Sequence, residues 1–204
     1  MRPRESRGFS LIELMMVVAI MGVLVAITVP MSGNAIRFLK LSGDAREISN
    51  AAAVAKMRAA AKFTQSRLFI DVTGRNFYIQ TYTRVATASC AVGVWCTEGG
   101  ATNLSNTVTF GFGPVSTPPP NTQTTINQAA MCQTTDATPV DIANTACVIF
   151  NSRGIPVDNT GSPTGVDAVY VTDGSAVYGI TIAATGFIRT WQTNHTSTPS
   201  WTLQ

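Results

Sequence analysis

An apolar run dominates the start of the chain. Residues 9–29 read FSLIELMMVVAIMGVLVAITV and hold a single charged side chain, that of Glu13. A helix of this length, rising about 1.5 Å per residue, reaches about 30 Å, which is the thickness of the hydrocarbon core of a bilayer. The pattern therefore predicts a transmembrane helix over residues 9–29.

Residues 30–66 continue the helical pattern with a more polar composition. Apolar side chains recur at steps of four and three, which places them on one face of an α-helix, and the basic side chains fall off that face. The apolar positions are Leu41, Ala45, Ile48, Ala52, Ala55, Ala59 and Phe63. We expect this stem, beyond the membrane, to cover the core of the domain that follows.

The hydrophobic period changes to alternation after Ser66, which indicates β-structure. Residues 67–72 and 76–82 flank a turn at Gly74 and predict a β-hairpin. Further strands are predicted at 147–150, 168–172, 177–183 and 187–192.

The middle of the chain, residues 90–146, is rich in Thr, Asn, Pro and Gly. This composition predicts mostly loop, with one short strand at 108–112. The expected fold class is α+β: a long N-terminal helix, transmembrane in its first half, packed against a mainly antiparallel β-sheet in a head at residues 67–204.

Charge is distributed unevenly, although the formal net charge is only +3. Residues 1–8 carry three arginines and one glutamate, and residues 37–84 carry nine bases and three acids. Residues 85–204 carry two bases, Arg153 and Arg189, against six acids. Because cytoplasmic flanks of membrane helices are enriched in Lys and Arg, we expect residues 1–8 in the cytoplasm and the head across the membrane, outside the cytoplasm.

Four cysteines fall in the exported part, where an oxidising compartment favours disulfides over free thiols. They allow three pairings, which sequence alone does not separate. Local pairing is favoured because the intervening segments have few apolar residues to bury. The expected disulfides join Cys90 to Cys96 and Cys132 to Cys147, with four reduced, partly buried thiols as the alternative.

An ordinary cleavable secretory signal is the alternative interpretation of the N-terminus. The apolar run is longer than the apolar region of such a signal, and no convincing small-x-small cleavage site closes it. Glu13 also argues against this alternative, because a carboxylate inside a membrane helix costs about 2.5 to 3.5 kcal/mol on insertion scales. We therefore expect a partner for Glu13.

The segment Gly8-Phe9-Ser10-Leu11-Ile12-Glu13-Leu14, preceded by a short basic leader, closely resembles the signal of type IV pilins and type II secretion pseudopilins. The resemblance implies that a prepilin peptidase removes the leader, residues 1–8, by cutting after Gly8, and N-methylates Phe9. It also implies a role for Glu13 in filament assembly, as the ion-pair partner of the Phe9 amine of a neighbouring subunit.

Two later segments, residues 150–154 and 180–189, resemble the head of the GspH/FimT group of minor pseudopilins and minor pilins. This resemblance implies a single-pass inner-membrane protein that joins a type IV pilus or type II secretion pseudopilus at or near its tip. The implied partners are other pilin-like subunits, the prepilin peptidase and the inner-membrane assembly platform.

DNA binding during natural transformation, as in FimT-like minor pilins, is the alternative function. Its candidate residue is Arg189, because Phe187 stands where the basic form of the pattern would place an arginine. One cation does not supply the several phosphate contacts that give useful affinity at physiological salt. Nucleic acid is therefore not an expected partner, and a solvated strand-edge charge is the favoured interpretation of Arg189.

Catalytic and metal-binding motifs are poorly represented. His195 is the one histidine, and it lies in a polar tail without a cue for a nucleophile beside it. Residues 158–161 with Asp167 and Asp173 offer oxygen atoms that Ca²⁺ prefers, but Asp and Asn beside Gly are also what ordinary turns use. We expect no enzymatic activity, no cofactor and no metal.

Overall fold

The computed structural model describes residues 9–135 and 138–204, with the side chains of residues 29–32 and 34 excepted. The predicted leader, including Gly8, lies outside the described residues. The chain divides into two compact units, Met1–Leu39 and Lys40–Gln204. One helix, α1 (Leu11–Ala61), contributes residues 11–39 to the first unit and residues 40–61 to the second.

The first unit is helical over the predicted membrane segment. The window Leu11–Thr28 has a mean hydropathy of 2.6, and by length and composition it can cross a membrane. Its apolar side chains are exposed in the isolated chain. The helix expected there is therefore present, and its insertion into a membrane stays a prediction.

The second unit adds ten strands to the C-terminal part of α1. In chain order, the strands are β1 (Ser66–Asp71), β2 (Asn76–Tyr82), β3 (Trp95–Asn103), β4 (Thr109–Phe110), β5 (Thr145–Phe150), β6 (Pro156–Val157), β7 (Val166–Thr172), β8 (Ala176–Ala183), β9 (Ile188–Asn194) and β10 (Thr202–Leu203). They form two antiparallel five-stranded sheets, sheet A in the order β3-β2-β1-β5-β6 and sheet B in the order β10-β9-β8-β7-β4.

The main core lies between α1 and the inner faces of both sheets. The predicted helical stripe from Leu41 to Ala59 is fully buried in this core. Alternate strand residues meet it, such as Leu68 and Ile70 from β1 and Ile180 from β8, because successive side chains of a strand point to opposite faces. The α+β class expected from the sequence is confirmed, with two sheets in place of the single sheet expected.

Irregular chain between β4 and β5 covers the outer faces of both sheets. Cys132 and Ile142 pack with Phe69 of β1 in a cluster on sheet A. Val115 and Ile126 pack with Tyr170, Ala168 and Val177 in a cluster on sheet B. β5 is buried along its whole length because one of its faces lies in the main core and the other in the sheet A cluster.

Phe63 was expected on the buried stripe, and this prediction is wrong. The helix ends at Ala61, and Phe63 follows in a left-handed conformation, with φ of 50°. The Phe63 and Thr64 amides donate to the carbonyls of Ala60 and Ala59, which is the Schellman arrangement at a helix C-terminus. This turn breaks the helical phase, so the Phe63 ring is exposed.

The prediction of loop for residues 90–146 is wrong at β3, an edge strand of nine residues. Its side chains are mostly exposed or half-buried, so hydrophobic alternation is absent. Its register against β2 also shifts between Phe77 and Ile79, and Gly99 in the bulged stretch has a φ of 77°. The two-residue strands β6 and β10 were also missed.

Candidate functional site

Glu13 lies in the first turn of α1. Ser10 precedes the helix, and its carbonyl accepts hydrogen bonds from the amides of Glu13 at 3.0 Å and Leu14 at 3.2 Å. The side chain of Glu13 is exposed, and no basic side chain among the described residues forms an ion pair with it. The helix dipole favours an acid at this end by about 0.3 to 1 kcal/mol, which offsets only part of the cost of placing it in lipid.

Phe9 lies outside the helix and is 85% exposed. The described part of the chain therefore leaves both Phe9 and Glu13 open to another molecule.

Arg189 lies on β9, with its side chain exposed. Its guanidinium carbon is 5.2 Å from the centroid of the Phe187 ring, which is within range of a cation–π contact. Phe187 belongs to the β8–β9 turn and is 59% exposed. The phenylalanine that breaks the basic sequence pattern is thus the immediate neighbour of Arg189.

The β8–β9 turn lies against the β5–β6 turn and against α1. The Lys56 ammonium on α1 donates to the Gly186 carbonyl at 2.8 Å. A Cβ on Gly186 would come within 2.0 Å of the Gly154 carbonyl oxygen, so only glycine permits this approach of the two turns. These contacts fix Arg153, next to Gly154, and Phe187, next to Gly186, on one side of the head.

Sequence reasoning does not single out this cluster. Periodicity places Lys56 on the polar side of the helical stripe, and Arg153 enters only through the charge count and the family-like segment. The sequence does contain one indication of the cluster, because Arg153 and Arg189 are the only lysines or arginines after residue 84.

Both expected disulfides are present in the structure. The bonds join Cys90 to Cys96 and Cys132 to Cys147. The first closes the base of the loop between β2 and β3. The second ties the irregular segment that covers sheet A to β5, within the outer cluster of that sheet.

The carboxylates of Asp158 and Asp173 stabilise their own turns by accepting hydrogen bonds from residues close by in sequence. One carboxylate oxygen of Asp158 accepts hydrogen bonds from the Thr160 hydroxyl and amide and from the Ser162 amide, and these lower its pKa. Burial tends to raise the pKa of Asp173, but hydrogen bonds from Ser175 lower it overall. Within residues 9–135 and 138–204, no group of three potential metal ligands comes together.

Asp167 differs from Asp158 and Asp173, because burial raises its pKa. Its carboxylate accepts a hydrogen bond from the Thr164 hydroxyl at 3.0 Å. His195 packs against Gly113, where a Cβ would come within 1.9 Å of the ring. Asp167 thus has a hydrogen-bond partner and His195 a close packing contact within the head.

Residues 3–29 match the family model described as the prokaryotic N-terminal methylation motif. The match covers the Gly8–Phe9 junction, Glu13 and the apolar helix. It confirms, for this segment, the predicted resemblance to type IV pilins and pseudopilins. Residues 3–29 therefore carry a prokaryotic N-terminal methylation motif.

A comparison with solved structures found a similarity to the minor pseudopilin EpsH from the type 2 secretion system of Vibrio cholerae. The comparison covers 81% of this chain and 96% of that chain, at 11% identity and a TM-score of 0.35. No curated protein matches the chain significantly.

Proposed function

We propose that the chain is a minor pilin or pseudopilin that is cleaved after Gly8, methylated on Phe9 and assembled through α1 into a type IV pilus or a type II secretion pseudopilus. Its head would face the periplasm from the inner membrane, and its place in the filament would be at or near the tip. The role is structural rather than catalytic.

The observation that carries the proposal is the coincidence of three features in residues 3–29. The methylation motif at residues 3–29 includes the apolar part of the helix. This apolar part is long enough to span a membrane, and it contains one carboxylate, that of Glu13. An ordinary secretory signal does not require this combination of a methylation motif, a membrane-length helix and a carboxylate within the helix. A cleaved subunit uses all three, since removal of residues 1–8 frees an amine on Phe9.

The unpaired state of Glu13 supports assembly through the helix. A buried carboxylate that keeps its charge needs a cation close by, and the described residues of its own chain provide none. The Phe9 amine of a neighbouring subunit is such a cation. The pairing would set the axial register between neighbouring helices. It would also make the filament more favourable than lipid for the charged Glu13 side chain.

The proposed partners follow from the same steps. The prepilin peptidase recognises the leader and the Gly8–Phe9 junction, the inner-membrane assembly platform receives the cleaved subunit, and other pilin-like subunits surround α1. The resemblance of residues 150–154 and 180–189 to the GspH/FimT group supports a minor subunit.

Mass spectrometry of the N-terminus tests the proposal. The chain is produced in a host with an active prepilin peptidase and, as a control, in the same host lacking that enzyme. We expect mature protein that begins at N-methylated Phe9 in the first host and an intact leader in the second. A Gly8→Ala variant should keep its leader in both, whereas Ser6→Ala should be processed normally. An uncut Met1 in the first host would falsify the proposal, as would a cut at residues 32–35, the nearest weak match to a secretory small-x-small site.

A further inference from the structure

A shallow groove of about 370 Å³ lies between α1 and the two glycine turns of the head. We call it the basic groove. Met57 and Ala60 of α1 line one side, and Phe187 and Ile188 line the other. Lys56 and Arg153 also line it, and no acidic side chain does so among the described residues.

The groove is positively charged, although residues 85–204 of the head are acidic overall. Residues 85–204 carry two bases and six acids. Arg153 lines the groove together with Phe187. Arg189 lines the adjoining pocket on the other side of Phe187, and its guanidinium lies over the Phe187 ring. Within the part of the chain that the structure describes, neither arginine forms an ion pair. The electrostatic potential of the groove is therefore available to another molecule.

The apolar part of the groove is equally open. Met57 is 61% exposed and Phe187 is 59% exposed, although each lies beside a well-packed turn or helix. Methionine and aromatic side chains are enriched in the central parts of protein interfaces, and arginine is enriched with them. A groove lined by Met57, Phe187 and Arg153, with Arg189 over the Phe187 ring, has this composition.

The groove is also preorganised. The Lys56 ammonium is held by the Gly186 carbonyl, and its aliphatic chain packs where a Cβ of Gly154 would lie, 2.7 Å from Cε. Both turns are thereby fixed to α1. A partner would find the apolar floor and the cations already in place, which reduces the entropy lost on binding.

We infer that the basic groove is a docking site for an acidic segment, bearing apolar side chains, of a neighbouring pilin-like subunit. The inference rests on the proposed function, which places other subunits beside α1. The carboxylates of the segment pair with Arg153 and Arg189 at the rim, and its apolar side chains cover Met57 and Phe187. Nucleic acid fits less well, because three cations make a small phosphate footprint.

Site-specific photo-crosslinking in producing cells tests the inference with the full chain. Met57 is replaced by p-benzoylphenylalanine, and Val140, which is 59% exposed on the cover of sheet A, carries the same replacement as a control. We expect a crosslink from position 57 to a protein that itself has an N-terminal methylation motif. Mass spectrometry should place the crosslink within a few residues of Asp or Glu in that protein.

Charge reversal adds a second readout. Arg153→Glu should reduce the yield from position 57 about fivefold or more, because the carboxylates of the partner would then face a like charge. Arg153→Lys should retain most of the yield. Arg84→Glu, an equal charge change at an exposed position that does not line the groove, should leave it unchanged.

Four results would overturn the inference: a nuclease-sensitive adduct, a yield no higher than at position 140, a crosslinked segment without carboxylates, or a yield insensitive to Arg153→Glu. The state of Phe9 in the same preparation separates this failure from that of the proposed function. Methylated Phe9 without the groove crosslink overturns the docking site alone, whereas unprocessed Phe9 overturns both.

Discussion

The guanidinium carbon of Arg67 lies 4.2 Å from the ring centroid of Trp95, in a site where Arg67 is almost fully buried. No carboxylate pairs with it among the described residues. The Arg67 side chain instead donates to the Gln80 side chain at 2.7 Å and to the Gln133 carbonyl at 3.0 Å. Burial lowers the pKa of Arg67 to about 10, so it stays charged at neutral pH. Arg67 thus connects sheet A to the chain that covers it.

Replacing Arg67 should test this connection. Arg67→Ala is expected to lower the free energy of unfolding by about 2 to 4 kcal/mol, because it removes a cation–π contact and leaves the Gln133 carbonyl without its donor. Arg67→Lys should recover only part of the loss, since an ammonium lacks the planar guanidinium group that stacks on Trp95 and donates to both Gln80 and Gln133. Urea unfolding measures both variants. Equal stability of Arg67→Ala and the parent chain would contradict this account.

Gly179 makes room for an aromatic ring. A Cβ at this position would lie 2.8 Å from Cε1 of Tyr170, its cross-strand partner. Gly179→Ala should therefore cost about 1 to 3 kcal/mol through overpacking. Gly100→Ala is the matched control, because a Cβ there meets nothing within 4 Å. Thermal unfolding should separate the two variants, and a shared midpoint would show that Tyr170 moves aside freely.

Glu98 forms ion pairs with Lys62 and, at 3.3 Å, with Arg58 at the end of α1. Partial burial tends to raise the pKa of Glu98, but the hydrogen bond from Lys62 and the two cations lower it overall. Stability from these pairs is present above the unfolded pKa, near 4.5, and is lost as the pH falls through the lower folded value.

The variant Glu98→Gln should lose about 0.2 to 1 kcal/mol at pH 7, as expected for exposed pairs. The difference from the parent chain should shrink as the pH falls below 4.5. Glu47→Gln, at an exposed position on α1, serves as the control. A difference that grows on acidification would contradict the ion-pair explanation.

The two disulfides should contribute unequally. Replacing Cys132 and Cys147 by Ala should cost about 3 kcal/mol, and replacing Cys90 and Cys96 about 2 kcal/mol, because the first bond closes the longer loop. Denaturant unfolding of the double variants measures both. Non-reducing peptide mapping checks the pairing itself, and a peptide that joins Cys96 to Cys132 would disprove it.

Glu13 should separate membrane insertion from filament assembly. Glu13→Gln and Glu13→Val are expected to insert as well as the parent chain or better, yet to enter filaments about tenfold less, because the ion pair to a neighbouring amine is lost. Met16→Val, an exposed apolar change one turn away, should assemble normally. Quantifying the subunit in membranes and in sheared filaments gives both readouts, and wild-type incorporation of Glu13→Val would remove Glu13 from the assembly mechanism.

Strong local periodicity made part of the fold predictable. The helical stripe from Leu41 to Ala59 and the hairpin of β1 and β2 have the 3.6-residue and two-residue periods that sequence reveals directly. The edge strand β3 has a bulge, two adjacent glycines and mostly exposed side chains, so neither period is present. The division into two sheets depends on pairings such as Phe69 with Cys147, which are remote in sequence.

The same distinction applies to the candidate sites. Gly8, Phe9 and Glu13 form a contiguous motif, so the amino-acid sequence by itself suggests their proposed roles. The basic groove joins α1 to two turns, at Gly154 and Gly186, that are far apart along the chain. Only the fold shows that Arg153 lines the same groove as Phe187, whose ring lies under Arg189.

The pairing of β1 with β5 has a consequence for how the head folds during synthesis. Residues 66–71 are made early, and their partner on one side, β2, follows at once. Their partner on the other side, residues 145–150, emerges only after the whole cover segment has been made. Until then β1 presents an open edge and an uncovered outer face, which invites pairing with other chains. The growing head is therefore most vulnerable to aggregation in the interval between the two pairings, and a chaperone that binds extended strands would protect it there.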